Sequence, residues 1–431
     1  MKRRLLVIGT ALYLLILFSF SFLQGELLIL TIPLLLYLGW GLWSAPGEID
    51  LEVEREISHV RVPSGRQVQI TLHLTNRGSR IPLAVIRDDL PEGCRLVHGD
   101  SQLITALDRG EGRELSYTLQ PDRGYYVFDR IKVQGGDHFG LQKRRKTFLT
   151  RGRLFAHPRP SRVERIPIRP RLTNVYSGFI PARVGGPGVE FFGIREYQPG
   201  DPIRWVNWRA SARYRQTLFV NQYQQERVAD VGLILDTRRS SQVLGEGGRT
   251  IFEYAVRAAG SLADRFLQDG NRVGLLLYGT SLNWTIPQYG KVQRQRLMDQ
   301  LSRAQVGSSQ VFEKLDNLPT QILPRRAQLV FISPLQAEDA DTLIQLAARG
   351  YAVMVISPDP VAFESQFYRQ GTHAVQLAQR IARVERRLLL QKLQGAGIRV
   401  LDWDLDTPLR AALKVGLTRP IRRPHHPGGE L

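Results

Sequence analysis

Val231-Gly232-Leu233-Ile234-Leu235-Asp236 is a run of apolar residues closed by a carboxylate. Such a run has the form of a strand buried on both faces of a parallel sheet, which delivers its last side chain to the carboxyl end. After Arg227 the pattern alternates strand and helix. Thr250 to Gln268 places Phe252, Ala255, Val256, Ala259, Leu262, Ala263 and Phe266 on one helical stripe, stopped by Gly270. Val273 to Tyr278 reads as the next strand, Ser281 to Ile286 as an antiparallel edge and Lys291 to Ala304 as a helix. Gln328 to Ile332, Ala352 to Ile356 and Arg399 to Trp403 then read as strands, with helices at Ala337 to Arg349 and Ala374 to Gln394. This predicts a doubly wound, mostly parallel α/β domain over residues 228–417. Ligands meet such sheets at the carboxyl ends of the strands, which makes the surroundings of Asp236 the first place to look for chemistry.

Upstream the period changes. Val68-Gln69-Ile70-Thr71-Leu72-His73-Leu74 alternates apolar and polar residues, and turn signals follow at Asn76-Arg77-Gly78-Ser79, Pro91-Glu92-Gly93, Asp108-Arg109-Gly110 and Asp122-Arg123-Gly124. An antiparallel, Ig-like β-sandwich is predicted over residues 49–155, closed by the loop Asp137-His138-Phe139-Gly140-Leu141. Residues 156–184, with prolines among arginines, read as an extended connector. Gly185-Gly186-Pro187-Gly188 lacks the Gly-Lys-Ser/Thr ending of a phosphate loop and reads as a flexible turn. Residues 418–431 read as a disordered basic tail.

Two apolar runs open the chain, at residues 5–23 and 27–43. Each reaches roughly 25 to 28 Å as a helix, close to the thickness of the hydrocarbon core. Lys2, Arg3 and Arg4 precede the first run, and Tyr37, Trp40 and Trp43 lie near the end of the second. The expectation is a transmembrane helical hairpin over residues 1–46 in the cell membrane, with lipid as a partner and the remaining domains cytoplasmic. The first run is long for a signal peptide and no small-x-small cleavage site follows it. The net charge of +19 then has an explanation in anionic headgroups. Nucleic acid is not an expected partner, because no recognisable nucleic-acid module accompanies the arginines.

The densest chemistry lies between Glu190 and Arg213, in the segment assigned to residues 185–227. Glu190, Arg195, Glu196, Asp201, Arg204 and Arg213 suggest a charge network over Trp205 and Trp208, with Pro199-Gly200-Asp201 as a tight turn. Exposed Arg and Trp would equally make a docking surface. An active site is not expected there, since no His, Cys or Lys accompanies the carboxylates at strand ends. Cys94 lacks a partner base, and the histidines show no metal-ligand spacing.

Glu190-Phe191-Phe192-Gly193-Ile194-Arg195-Glu196-Tyr197-Gln198-Pro199-Gly200-Asp201, continuing through Arg204, Trp208, Ser211, Ala212 and Arg213, resembles bacterial membrane proteins carrying the domain of unknown function 58. Asp122-Arg123-Gly124-Tyr125 and Asp137-His138-Phe139-Gly140-Leu141 resemble the sandwich segments of the same family, so the likeness runs over nearly the whole chain. The resemblance implies a von Willebrand factor A-like fold for the α/β domain and a MoxR-type AAA+ ATPase as partner. It also implies a divalent-metal site built from Asp-x-Ser-x-Ser, a Thr and a further Asp. Here the first loop reads Asp236-Thr237-Arg238-Arg239-Ser240, with Arg238 in the place of the first serine. Gly307-Ser308-Ser309 offers a hydroxyl for the Thr, and Phe331-Ile332-Ser333-Pro334 offers Pro334 where the carboxylate belongs. Mg²⁺ wants a near-octahedral oxygen array, whereas an Arg-carboxylate pair satisfies Asp236 without metal.

The function expected on these grounds is a membrane-tethered, non-enzymatic adaptor that binds proteins, without a cofactor. Docking is expected at Asp236, Arg238, Arg239, Ser240 and Ser309, with Glu190, Arg195, Glu196, Asp201, Arg204, Trp208 and Arg213 beside them. Replacing Arg238 with Ser is expected to leave folding intact. The alternatives are a weak Mg²⁺ site at Asp236, Ser240 and Ser309, completed by a partner's carboxylate, and a basic surface that binds anionic lipid or nucleic acid.

Overall fold

A computed structural model describes residues 2–22, 26–43, 47–136, 143–166, 180–213, 217–245, 248–279, 283–307, 314–319, 327–366 and 372–418. The chain divides into two units, Met1–His157 and Pro158–Leu431.

The first unit opens with helices α1 (Lys2–Phe22), α2 (Glu26–Ile29) and α3 (Thr31–Trp43). The expected second span is broken at Leu30, where the Thr31 hydroxyl donates to the Leu28 carbonyl at 2.6 Å. Pro33 has no N–H to offer the Ile29 carbonyl one turn back, which favours a break there. The 13 residues of α3 reach only about 20 Å, short of a hydrocarbon core of ~30 Å. Helix α1 is longer but carries Lys2, Arg3 and Arg4 in its first turn. Among the described residues no helix is long and apolar enough to cross a membrane. The predicted transmembrane hairpin is thereby corrected, together with the cell-membrane placement and the lipid partner that depended on it.

Nine strands follow: β1 (Leu51–Ile57), β2 (Arg61–Pro63), β3 (Val68–Asn76), β4 (Ile81–Asp88), β5 (Cys94–His98), β6 (Gln102–Leu107), β7 (Gly112–Pro121), β8 (Gly124–Gly136) and β9 (Lys143–His157). They form one sheet of order β1-β3-β7-β5 and another of order β2-β9-β8-β4-β6. Inward residues of both sheets share one core, including Ile70, Leu72 and Leu74 of β3 and Ile131 and Val133 of β8. Arg55 of β1 ties the sheets together from inside. It donates to Asp88 of β4 at 2.7 Å and to the Thr150 carbonyl of β9 at 2.6 Å, while Tyr117 of β7 donates to the other Asp88 oxygen at 2.6 Å. The expected closing loop at residues 137–141 lies outside the described residues.

In the second unit, β10 (Ile180–Glu196) and β11 (Phe219–Arg227) make a two-stranded antiparallel sheet of their own, with α4 (Trp208–Ser211) between them. The predicted flexible turn at Gly185 to Gly188 therefore falls inside a strand. Its pairing slips between Ala182 and Gly185 and between Gly186 and Phe191, so the glycines act as bulges. The chain then runs through β12 (Asp230–Asp236), α5 (Ile251–Gln268), β13 (Arg272–Tyr278), β14 (Asn283–Gln288) and α6 (Gly290–Arg303). It continues through β15 (Gln328–Ile332), α7 (Asp339–Ala348), β16 (Ala352–Pro358), α8 (Pro360–Ser365), α9 (His373–Gly395), β17 (Arg399–Trp403) and α10 (Leu409–Thr418).

These strands form one sheet of order β14-β13-β12-β15-β16-β17, parallel except for β14. Val231, Leu233 and Leu235 face a core that includes Phe252, Leu262 and Phe266 of α5. Ile234 faces the opposite core, with Leu343 of α7 and Leu393 of α9. Each fully buried Leu or Phe contributes about 1.5 to 3 kcal/mol, so the continuous apolar run of β12 is what fixes its central place. Because β13 and β15 lie on either side of β12, the chain reverses its direction of winding at the carboxyl ends of β12 and β15. That is the position at which open α/β sheets form a ligand crevice.

Candidate functional site

At this reversal point the structure sets three charged side chains in contact, each at most 3% exposed. Arg238 donates from Nε and Nη2 to the two oxygens of Asp236 at 2.9 and 2.8 Å. Its Nη1 and Nη2 donate to the two oxygens of Asp339 at 2.8 and 2.7 Å. The planar guanidinium thus bridges two carboxylates with paired bonds to each. Ser333 donates to Asp236 at 2.6 Å, and the Gln336 N–H donates to Asp339 at 2.8 Å. Burial by itself would depress the Arg238 pKa, but the hydrogen bonds to Asp339 and Asp236 raise it, so the guanidinium stays charged.

Local backbone geometry enforces this contact. Gly279 has φ +149°, and a Cβ there would lie 2.4 to 2.6 Å from the Thr237 and Arg238 backbone. Only glycine lets the end of β13 approach the Arg238 loop this closely. In the loop after β15, Leu335 holds φ 63°, a left-handed conformation costly for a leucine. Its N–H donates to the Ser333 hydroxyl at 3.0 Å, and the turn brings Asp339, in the first turn of α7, back toward Asp236. Tyr278, at the end of β13, is buried and donates to the Lys314 carbonyl, and burial pushes its hydroxyl up to about 12.

The carboxylate missing at Pro334 is therefore supplied five residues later by Asp339, which the sequence reading did not identify. The visible signal was an acidic residue opening a helix directly after a strand-end loop. Arg386 of α9 was also missed. It donates to the Pro334 and Ser357 carbonyls at 3.1 Å and to Asp402 at 2.6 Å, linking the carboxyl ends of β15, β16 and β17. An arginine on the stripe shared with Leu390 and Leu393 marks it in the sequence.

Mg²⁺ does not fit this residue set. Both carboxylates direct their oxygens at a fixed cation, and displacing that cation would strand a buried guanidinium. Among the described residues no group of three or more His, Cys, Asp or Glu could hold a metal ion. Of the other candidates, Arg239 is exposed, and the Ser240 hydroxyl is buried without a hydrogen-bond partner among the described residues. Ser309 lies outside the described residues. The Cys94 thiol is pushed up to about 12 by burial and then by Asp122, which leaves it protonated and unreactive.

The second set of candidates is built differently. Arg195 and Asp201 form a paired ion contact at 2.7 and 2.6 Å, and the Gln198 N–H donates to Asp201 at 2.8 Å across a turn where Gly200 has φ 106°. Asn207 caps α4 by accepting from Ala210 N–H at 2.9 Å, and Ser211 accepts from Phe219 N–H at 2.8 Å. Arg204 lies over the Trp205 ring at 5.9 Å. Trp208, expected beneath a charge network, is instead 65% exposed; Ile203 is more exposed still, and Phe191, Ile194 and Leu218 are exposed to lesser degrees. Glu196, Arg204 and Arg213 are exposed, and Glu190 lies in β10. Strand β11 runs into the amino end of β12, so this segment joins the sheet at the end opposite Arg238. The two predicted sets are attached to opposite ends of one strand.

The family model described as Protein of unknown function DUF58 matches residues 193–364, which span the Arg195–Asp201 turn and the whole Asp236–Arg238–Asp339 cluster. Over residues 193–364 the chain belongs to the DUF58 family. The uncharacterized protein YeaD of Bacillus subtilis (strain 168) is 27% identical over 277 residues. That match covers 62% of this chain and 66% of YeaD, slightly less than two thirds of its length. Partial likenesses to solved structures include the CARDB domain of the PF1109 protein from Pyrococcus furiosus, at 18% identity over 26% of this chain and 91% of that one, with TM-score 0.18. The FixG-related protein from Vibrio parahaemolyticus is similar at 14% identity over 26% of this chain and 98% of that one, with TM-score 0.18. Neither likeness carries an argument at that score. The expectation of a von Willebrand factor A-like domain is corrected accordingly: no comparison establishes it, and the metal loop associated with it is closed by Arg238.

Proposed function

We propose that this DUF58 protein is a non-enzymatic docking protein that presents the β10–β11 segment to another polypeptide. The observation that carries the reading is the exposure of Trp208 and Ile203, 65% and 72%, beside Arg204 on a small two-stranded sheet. Tryptophan and arginine dominate interface hot spots, and a rigid turn locked by Arg195 and Asp201 holds them in place. The Asp236–Arg238–Asp339 cluster argues against both catalysis and cation-mediated binding, because every charged group in it is already engaged. It serves in this reading as the lock of the sheet edge rather than as a contact surface. A MoxR-type AAA+ ATPase is the partner that the family resemblance suggests, in the assembly or maturation of other complexes.

The test is a binding titration between the purified full-length chain and a MoxR-type ATPase. Trp208→Ala should weaken binding on the order of thirtyfold, the loss of one hot spot of about 2 kcal/mol, with thermal unfolding unchanged. Equal binding by the wild type and a Trp208→Ala/Ile203→Ala double variant overturns the proposed surface.

A further inference from the structure

Helix α9 carries a second surface that is unpartnered among the described residues, independent of the β10–β11 segment. One face of α9 is buried through Arg386, Leu390 and Leu393. On the other, Leu377, Ile381, Val384 and Leu388 are 49%, 51%, 53% and 60% exposed. Their spacing of four, three and four residues is the a/d repeat of a coiled coil. At 3.6 residues per turn they fall within an arc of about 60°. A helix lying on lipid needs a wider apolar face, of about 100° or more, whereas a narrow seam of this repeat matches a second helix.

Charge selects among helical occupants. Arg380 and Arg387 flank the seam at g positions and Arg383 lies beyond them, while Glu385 is the one acidic residue among them. All three arginines are exposed, and none makes an ion pair among the described residues. Lys392 on the other flank is held by Asp341 at 2.6 Å. A second copy of α9 is a poor match. Antiparallel pairing sets the arginine rows against each other, and parallel pairing offsets the favourable Arg380–Glu385 contact with Arg387 against Lys392. The tail at residues 419–431 is basic and rich in proline, which opposes both helix formation and attraction to arginine. An acidic helix satisfies the apolar repeat and the charge together.

We propose that the exposed seam of α9 is a docking site for an acidic amphipathic helix, with Leu377, Ile381, Val384 and Leu388 as knobs and Arg380 and Arg387 pairing with its glutamates. The test uses a fluorescent peptide of about 21 residues with Leu and Ile at a and d and Glu at e and g, and a control with Lys at e and g. The full-length protein should bind the Glu peptide saturably and at least about tenfold more tightly than the Lys peptide, with affinity falling as salt rises. Ile381→Glu/Leu388→Glu should abolish binding while leaving the unfolding temperature within a degree or so, since both side chains are exposed. Arg380→Glu/Arg387→Glu should reverse the peptide preference. Three results overturn the proposal. They are equal or absent binding of the two peptides, sedimentation as a dimer that Ile381→Glu dissolves, and retention on phosphatidylserine vesicles lost in the Ile381→Glu/Leu388→Glu variant.

Discussion

Two buried arginines do different work in the two units. Arg55 lies between the sheets of the sandwich, bonded to Asp88 and to the Thr150 carbonyl, with the Phe128 ring 5.3 Å away. One cation meets one anion, so the cluster is neutral in sum and its role is to join β1, β4, β7 and β9. Arg238 lies at the carboxyl edge of a parallel sheet and meets two carboxylates, so its cluster keeps a formal negative charge. Two carboxylates converging at a strand reversal are what a ligand cation would require, and here the chain supplies the cation itself. A buried arginine in a core is a clip, whereas a buried arginine at a sheet edge closes a site.

Removing each arginine sharpens the comparison. Arg238→Ser should cost about 5 kcal/mol in denaturant unfolding, because it leaves two buried carboxylates facing each other. This reverses the expectation from sequence that the substitution leaves folding intact. Millimolar Mg²⁺ should restore part of the loss in that variant, since a metal can then take the vacated position. A cost below about 1 kcal/mol would show that the cluster is not a lock.

Arg55→Ala should cost less, about 3 kcal/mol, because a single carboxyl remains and can be neutralised by a proton. Burial already raises the Asp88 pKa, against the opposing effects of Arg55 and Tyr117. A carboxyl whose folded pKa lies above its unfolded value stabilises the fold at low pH and loses that contribution as pH rises through the folded pKa. The Arg55→Ala deficit should therefore be largest near neutrality and shrink toward acid, as urea midpoints across a pH series would show. A deficit independent of pH would mean that Asp88 does not titrate in the variant.

The smallest effect belongs to the exposed turn. Hydrogen bonds from Arg195 and then from the Gln198 N–H hold Asp201 below the usual carboxylate value of 3.8. Its contribution is present above the unfolded pKa and disappears as pH falls through the lowered folded value. NMR titration of Asp201 should show a rise toward 3.8 in Arg195→Ala, with a change in global stability too small to move the urea midpoint. An unchanged titration would place the ion pair outside the solution structure.

The sheet was legible because burial on both faces demands an unbroken apolar run, and Val231 to Leu235 has no other explanation. The stripe from Phe252 to Phe266 was legible for the related reason that helical periodicity follows the core. Asp339 was hidden because its partnership depends on Leu335 adopting a conformation that nothing in a leucine announces. The broken second apolar run was visible at Pro33, but total hydropathy outweighed it in the reading. The exposure of Trp208 was illegible for a third reason: a mixed segment of Trp and Arg has the same composition whether its rings point inward or outward.

The guanidinium of Arg238 occupies the position between Asp236 and Asp339 that a cation would otherwise take. Isothermal calorimetry of the wild-type chain with Mg²⁺ tests this most directly. Heats no larger than dilution are predicted, with saturable binding emerging only in Arg238→Ser. Saturable binding of Mg²⁺ by the wild type, abolished by Asp236→Asn, would contradict it.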